Sequence, residues 1–235
     1  MKAVVTAFNG GEFEAVDFND ASVVADIFDS IDATTVTLTT ADNREGAASI
    51  LFTVSLSNEA KKDAEITVNV GGTDYKVKIP ANSKSAVLEV ENPNKEDPYI
   101  DASTLEGKVT NVTGGGFESI DFSKATATAR ISDTTDITRA TLIADDTEEG
   151  VENAIFTVSL SAKAQTKVTA SLEVEGKPYS VTIPAGQDSA TVSIKNSNSD
   201  DPYSDATKLT GKLTQVSGGN FEYLVISKDE VVLNI

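Results

Sequence analysis

The chain repeats itself at a fixed spacing. The segment DPYIDASTLEGKVTNVTGGGFESI begins at Asp97, and DPYSDATKLTGKLTQVSGGNFEYL begins 104 positions later, at Asp201. Phe117 has counterparts at the same spacing in both directions, Phe13 and Phe221. A repeat of this length is a complete domain rather than one turn of a solenoid. The sequence therefore predicts tandem copies of a single domain.

The repeat also places the domain boundaries. Residues 32–133 form the first repeat, residues 134–235 form the second repeat, and residues 1–31 match only the C-terminal part of a further repeat. We expect residues 1–31 to form the hairpin of the last two strands, which is marginally stable in isolation. We also expect the chain to be a segment of a longer array.

Each repeat alternates apolar and polar residues with the period of a β-strand. The alternating segments of the first repeat include TTVTLTTA, ILFTVSLS, EITVNV and SAVLEVEN, which are rich in threonine, valine and isoleucine. About seven short strands in roughly a hundred residues is typical of an immunoglobulin-like sandwich. The predicted fold class is all-β, with tandem immunoglobulin-like β-sandwich domains of antiparallel strands in Greek-key order.

The composition excludes several kinds of function. The chain has no cysteine and no histidine, which excludes disulfides, thiolate zinc sites and catalytic triads that use histidine. Its formal net charge of −18 disfavours binding to nucleic acid and to anionic membranes. No apolar run approaches the ~18 residues of a membrane span, and no signal peptide opens the chain. Any bound metal must be held by oxygen atoms.

Acidic residues collect in loops that a sandwich brings to one end. These are the loop after the first strand, the loop before the sixth strand and the segment after the seventh strand. Converging carboxylates repel one another unless a cation lies between them, and Ca²⁺ accepts about six to eight oxygen ligands from flexible loops. We therefore predict Ca²⁺ at the domain junctions, with these candidate ligands: Glu45, Asp97, Asp101, Asp133 and Asp136 in the first repeat, and Glu149, Asp201 and Asp205 in the second.

A simpler interpretation of these acids stays open. Aspartate is common in surface loops because its side chain caps turns, and an acidic chain shows clusters by chance. Recurrence favours a site over chance, because three pairs keep the 104-residue spacing in separate loops: Glu45 with Glu149, Asp97 with Asp201, and Asp101 with Asp205.

The repeated motifs resemble those of the immunoglobulin-like repeats in large bacterial surface adhesins of the RTX type, which are exported by type I secretion. The motifs are FTVSLS, the strand-ending IPA, the loop DPY(I/S)D, GG(G/N)FE and the linker SDTTD. The pattern is more distantly similar to Calx-beta domains, whose calcium-binding positions are matched by Glu45, by Asp97 or Asp101, and by Asp133. The resemblance implies an extracellular, non-enzymatic extender that Ca²⁺ stiffens. Its partners would be neighbouring repeats of the same chain, with no small-molecule substrate.

Two other functions are compatible with parts of the sequence. The loops TGGGFES and SGGNFEY each offer one phenylalanine for binding a carbohydrate or a peptide, although a core position explains these residues better. Paired acids such as Asp200 and Asp201 suit a glycosidase only if they face each other across a cleft, which adjacent loop residues do not. We therefore expect a structural protein rather than an enzyme.

Overall fold

A computed structural model describes residues 1–203 and 206–235 of the chain. Among these residues the regular structure is entirely β-strand, and no helix is long and apolar enough to cross a membrane. A short hairpin precedes two sandwiches; its strands are β1 (Lys2–Val4) and β2 (Ser22–Val24). The strands of the first sandwich are β3 (Ala33–Thr40), β4 (Asn43–Arg44), β5 (Ser49–Leu56), β6 (Ala64–Val70), β7 (Thr73–Ile79), β8 (Ser85–Glu91), β9 (Ser103–Gly114), β10 (Ser119–Asp121) and β11 (Thr126–Ser132). Those of the second are β12 (Ile137–Ala144), β13 (Asn153–Leu160), β14 (Val168–Val174), β15 (Lys177–Ile183), β16 (Ser189–Lys195), β17 (Lys208–Gly218), β18 (Tyr223–Lys228) and β19 (Glu230–Asn234).

Each sandwich consists of two sheets that enclose one core. The first contains the sheets β10-β3-β5-β8 and β4-β11-β9-β6-β7, and the second contains β16-β13-β12-β18 and β15-β14-β17-β19. The predicted all-β fold of tandem sandwiches is therefore confirmed. Three pairs are parallel rather than antiparallel: β10 with β3, β4 with β11, and β18 with β12. These parallel pairs form because β4, β10 and β18 each leave the sheet of the preceding strand and pair with an edge of the opposite sheet.

The two sandwiches share the same strand register. Phe52 of β5 lies opposite Leu88, and Phe156 of β13 lies opposite Val192, which are equivalent pairs in the repeat. Irregular pairing between β6 and β9 recurs at the same place between β14 and β17. Similar local sequences have thus produced the same backbone, including its irregularities.

A glycine in the sixth long strand of each sandwich lets an aromatic ring approach the backbone. Phe52 and Phe156 are fully buried. A Cβ atom at Gly107 would lie 2.7 Å from the Phe52 ring, and one at Gly211 would lie 2.5 Å from the Phe156 ring. A Cβ atom at this distance would overlap the ring, so the close packing of the phenylalanine requires glycine in the repeated EGK and TGK segments.

The hairpin at the start of the chain has the geometry of the last two strands of a repeat. Lys2 of β1 pairs with Val24 of β2, and the equivalent residues Glu106 and Thr128 pair in the first repeat. Its apolar side chains are exposed, as Val24 illustrates at 65%. The boundaries placed after residues 31 and 133 stay a prediction.

Candidate metal centre at the repeat junction

Three of the predicted ligands meet at the C-terminal end of the first repeat. Glu45 follows β4, Asp101 precedes β9 and Asp133 follows β11, so each belongs to a different loop. One carboxylate oxygen from each residue lies within 4.8 Å of the others. The alternating strand directions explain this convergence, because all three loops lie at one end of the sandwich.

Glu45 is held against the linker between the repeats. It is buried, with 2% of its surface exposed, and its Oε1 atom accepts hydrogen bonds from the backbone N–H of Thr134 (2.6 Å) and the Thr134 hydroxyl (3.0 Å). Its own N–H donates to the carbonyl of Ser132 (3.0 Å). The Oε2 atom is buried and has no hydrogen-bond partner. One oxygen thus fixes the side chain, and the other remains available to a ligand.

Asp133 also has a buried oxygen, Oδ1, without a hydrogen-bond partner. Burial raises the pKa of Asp133, and the negative charges of Glu45, Asp101 and Asp97 raise it further, against the opposing effect of the Asp101 backbone N–H. These carboxylates therefore interact unfavourably when all are ionised.

Asp97 and Asp136 lie at the periphery of this cluster. Asp97 accepts a hydrogen bond from the N–H of Tyr99 (2.9 Å), which closes a tight turn. Partial burial raises the pKa of Asp136, and its interactions with Glu96, Glu45 and Asp97 raise it further. Both residues add negative charge to the cluster, although neither joins the three oxygens that lie together.

The second repeat contributes Glu222, which was not among the predicted ligands. Its Oε2 atom accepts a hydrogen bond from the N–H of Asp136 (2.6 Å), and its Oε1 atom is buried without a partner. Burial raises the pKa of Glu222, and the carboxylates of Glu45 and Asp133 add to the effect. The sequence feature that could have identified Glu222 is the phenylalanine-glutamate pair, which recurs in both repeats. The equivalent Glu118 has the same role in the structure, because it accepts a hydrogen bond from the N–H of Asp32 (2.9 Å).

Two buried asparagines support the cluster and were also missed. The Asn92 amide donates to the carbonyl of Arg44 (2.9 Å), and the Asn94 amide donates to Oδ1 of Asp101 (3.0 Å). The N–H of Asn94 also donates to Asn92 Oδ1 (3.1 Å), and in the second repeat the N–H of Asn198 donates to Asn196 Oδ1 in the same way (2.9 Å). An asparagine pair recurring at the repeat spacing was the available signal.

The predicted ligands of the second repeat do not form an equivalent group among the described residues. Glu149 is half-buried, and Asp201 accepts a hydrogen bond from the N–H of Tyr203 (2.9 Å). Asp205, the counterpart of Asp101, lies outside the described residues. Among residues 1–203 and 206–235, only Glu45, Asp101 and Asp133 bring three metal-binding side chains together.

Within the described residues, no basic side chain forms an ion pair with the carboxylates of the cluster. The ion pairs within residues 1–203 and 206–235 join Lys76 with Glu65, Lys78 with Asp63, and Lys95 with Glu91, and none of these carboxylates belongs to the cluster. Arg44 adjoins Glu45 in sequence, yet its side chain is in none of these pairs.

The Asp-Pro-Tyr loop of the first repeat packs against the second repeat beside the cluster. The Tyr99 ring stacks on Phe221 with 5.7 Å between ring centroids, and its hydroxyl donates to the carbonyl of Lys163 (2.7 Å). The backbones also pair, because Ile100 N–H donates to Asn220 and Glu222 N–H donates to Pro98, both at 3.1 Å. The two repeats are therefore joined by direct side-chain and backbone contacts as well as by the linker.

These features define a protein of tandem β-sandwich repeats joined through an acidic junction. The LapA domain model matches residues 32–134 and 136–235, and the chain belongs to the LapA domain family. The predicted resemblance to the repeats of large bacterial adhesins is therefore confirmed at the family level.

The solved structures that match this chain have low sequence identity to it. A tetra-tandem repeat from the extending region of a large adhesion protein is 12% identical, with a TM-score of 0.37, and the match covers 86% of this chain and 48% of that one. A 1.5-MDa bacterial ice-binding adhesin is 14% identical (TM-score 0.29; 84% and 67% covered). CBD12 from CALX1.2 is 10% identical (TM-score 0.36; 77% and 80% covered). The comparison with curated proteins finds no match.

Proposed function

We propose that this chain is a structural extender segment of a bacterial cell-surface adhesin, located outside the cell, and that Ca²⁺ at the junction stiffens the array. Membership of the LapA domain family supports the adhesin role, and the tandem sandwiches support a structural rather than an enzymatic one. The observation that carries the calcium proposal is the group of Glu45, Asp101 and Asp133, which converge without a basic partner.

The electrostatic cost of this group favours a cation. Two unit charges 4.8 Å apart repel by about 3.5 kcal/mol at an effective dielectric constant of 20. Among the described residues, the buried side-chain oxygens without a partner belong to Glu45 and Asp133, to Glu222, whose charge interacts with both, and to Thr138. A buried polar atom without a partner is itself unfavourable. A cation held by these carboxylates would remove both costs together.

The donor set suits Ca²⁺ better than other common metals. All the available donors are oxygen atoms, which suit the hard cations Ca²⁺, Mg²⁺ and Mn²⁺ and lack the imidazole and thiolate groups typical of zinc and copper sites. The donors come from separate loops, and Ca²⁺ tolerates the irregular, high coordination numbers that such loops provide, whereas Mg²⁺ demands a near-ideal octahedron. Glu45, Asp101 and Asp133 would hold the ion, with Asp97, Asp136 and Glu222 as additional donors. We extend the proposal to Glu149, Asp201 and Asp205 at the end of the second repeat.

An ion at this position would act directly on the linker. Asp133 begins the segment that joins the sandwiches, Glu45 holds Thr134, and Glu222 holds Asp136. Neutralising the charges between these groups would allow them to remain together and would restrict the movement of one repeat relative to the next. Extracellular calcium is abundant enough to fill a site of modest affinity, with Kd of about 10⁻⁴–10⁻³ M.

The alternative of a carbohydrate- or peptide-binding module has less support. It required the TGGGFES and SGGNFEY loops to present Phe117 and Phe221 to a ligand, and in the second repeat that surface is already covered. The Asp-Pro-Tyr loop of the first repeat covers Phe221, of which only 6% is exposed. In this chain the SGGNFEY loop is therefore an inter-repeat contact.

Isothermal titration calorimetry of the whole chain with calcium tests the proposal. We expect binding by the wild type and at least about tenfold weaker binding by Asp133→Asn, which loses a charged ligand at almost constant volume. Asp188→Asn removes one charge from an exposed loop and is the matched control. Calcium binding that is unaffected by Asp133→Asn, or absent from the wild type, contradicts the proposed site.

A further inference from the structure

The contact between the repeats consists of a plug and a socket. The plug is the Asp-Pro-Tyr segment, residues 97–99 in the first repeat and 201–203 in the second. The occupied socket, on the second repeat, comprises the Phe221 ring, the backbone of residues 220 and 222, and the Lys163 carbonyl. None of these contacts needs a cation. They are made by aromatic rings, a tyrosine hydroxyl and backbone groups rather than by carboxylates of the acidic cluster, so docking can be tested separately from metal binding.

The first repeat has a second socket of the same design, which no segment of the described residues fills. Phe117, Glu118, Gly116 and Glu59 occupy the positions equivalent to Phe221, Glu222, Asn220 and Lys163. They border a surface cavity of about 290 Å³. Phe117 is partly exposed and Glu118 is exposed, whereas Phe221 is buried beneath Tyr99. The two repeats thus show the same surface in its open and covered forms.

Plug and socket both have their docked geometry before they meet. Tyr203 is 74% exposed, yet its N–H bonds to Asp201 at 2.9 Å, as the N–H of the docked Tyr99 bonds to Asp97 at 2.9 Å. In the open socket Lys61 N–H donates to the carbonyl of Gly115 (2.8 Å). The equivalent bond of the occupied socket, from Gln165 to Gly219, measures 3.0 Å. Docking between preformed surfaces loses little conformational entropy.

The hairpin of residues 2–24 indicates what fills the open socket. Val5 in the hairpin and Ile27 just after it are 46% and 77% exposed, whereas their counterparts Val109 and Ile131 are 1% exposed in the core of the first repeat. The backbone bond from Val5 to Ala21 (3.0 Å) reproduces the one from Val109 to Ala125 (2.9 Å). The hairpin thus has the backbone of a finished repeat and an apolar face that lacks the other strands of that repeat.

We propose that the open socket of the first repeat takes the Asp-Pro-Tyr plug of a further repeat, whose last two strands are the hairpin at residues 2–24. In each repeat the plug precedes this hairpin, and Lys2 pairs with Val24, so a repeat completed by residues 2–24 presents its plug at the end from which the chain continues into the first repeat. The tyrosine ring stacks on Phe117, and its hydroxyl donates to the carbonyl of Glu59. This inference rests on the proposed tandem-extender function, but not on calcium.

The test uses the whole chain with one segment added. A copy of residues 32–104 is joined before Met1, and because Met1 corresponds to Leu105, the seam preserves the repeat. Hydrogen–deuterium exchange then follows the amide of Glu118, because the equivalent Glu222 amide is bonded to Pro98 at the occupied junction. We expect exchange at Glu118 to slow by at least about tenfold relative to the original chain. The Glu222 amide, bonded in both chains, is the internal control.

A variant of the added copy separates docking from simple crowding. Tyr99→Ala in that copy alone is expected to return Glu118 to the exchange rate of the original chain, while the added strands stay protected. If Glu118 exchanges equally fast with and without a folded added segment, or if the added segment fails to fold onto the hairpin, the inference is wrong.

Repeating the exchange measurement in chelator and in about 2 mM calcium separates this inference from the proposed metal site. Protection of Glu118 in both solutions supports docking without a metal. If the Glu118 amide is protected but calorimetry detects no calcium binding, the docking inference is supported and only the calcium proposal is contradicted. Protection in calcium alone overturns the claim that docking is independent of the ion.

Discussion

Replacing Glu45 with glutamine should have opposite effects with and without calcium. Glutamine has nearly the same shape as glutamate, and its Oε1 atom can still accept the hydrogen bonds that Thr134 donates. The variant lacks the negative charge beside Asp133 and Asp101. Without calcium that loss relieves repulsion, whereas with calcium it removes a ligand.

The structure sets the expected size of the effect. The oxygens of Glu45 and Asp133 lie within 4.8 Å, which corresponds to about 3.5 kcal/mol at an effective dielectric constant of 20. Asp133 is only half-buried, so solvent screening reduces the repulsion to roughly 1–2 kcal/mol. A neutral acceptor forms weaker bonds to Thr134, which costs about 0.5–1 kcal/mol. We expect a net gain of about 1 kcal/mol in chelator.

Calcium should reverse the order of stability. An ion present at about 100 times its Kd stabilises the wild type by about 2.7 kcal/mol. Urea unfolding in chelator and in calcium measures both effects, with Glu65→Gln as the control. That control removes the same charge from an exposed ion pair outside the cluster, and its loss should change the free energy of unfolding by only about 0–1 kcal/mol.

Two results would refute this reasoning. If Glu45→Gln is markedly less stable than the wild type in chelator, the carboxylates do not repel one another as the structure indicates. If calcium stabilises the variant and the wild type equally, Glu45 is not a ligand.

The remaining predictions concern pH, core packing and the junction. In chelator, stability should rise as pH falls from neutral towards the raised pKa values of Asp133 and Glu222, because burial raises both folded-state pKa values above 3.8 and 4.5 and the folded state binds protons first. A melting temperature that falls as these two groups begin to protonate contradicts it. Gly107→Ala should destabilise the first repeat by about 1–3 kcal/mol in urea unfolding, since the new Cβ would overlap the Phe52 ring, and unchanged stability would disprove the close packing. Tyr99→Ala should speed hydrogen exchange at the Glu222 amide while the cores of both repeats stay protected; an unchanged rate would show that the contact is not stable in solution.

Much of the fold could be predicted because the strand signals are local. Alternation in segments such as ILFTVSLS places Phe52 and Val54 on the buried face without knowledge of any partner strand. The parallel pairing of β10 with β3 could not be predicted in this way. It depends on a short segment crossing to the other sheet, and three residues carry too little periodicity to reveal that crossing.

The candidate site was predictable only to the extent that it lies within one repeat. Glu45, Asp101 and Asp133 were identified because strand direction brings their loops to the same end. Glu222 was missed because it arrives from the next sandwich, and its position depends on how the repeats pack rather than on the topology of either one. The repeated phenylalanine-glutamate pair was visible in the sequence, but its role follows only from the bond to Asp136.

Small-angle X-ray scattering of the whole chain, in chelator and in millimolar calcium, tests most directly whether the ion stiffens the junction. If the account is correct, calcium increases the maximum dimension of the wild type and sharpens the inter-repeat peak of its distance distribution, while the curve of Asp133→Asn does not respond. If the wild-type curve is the same in both solutions, or if Asp133→Asn responds as the wild type does, calcium bound at this cluster does not stiffen the array.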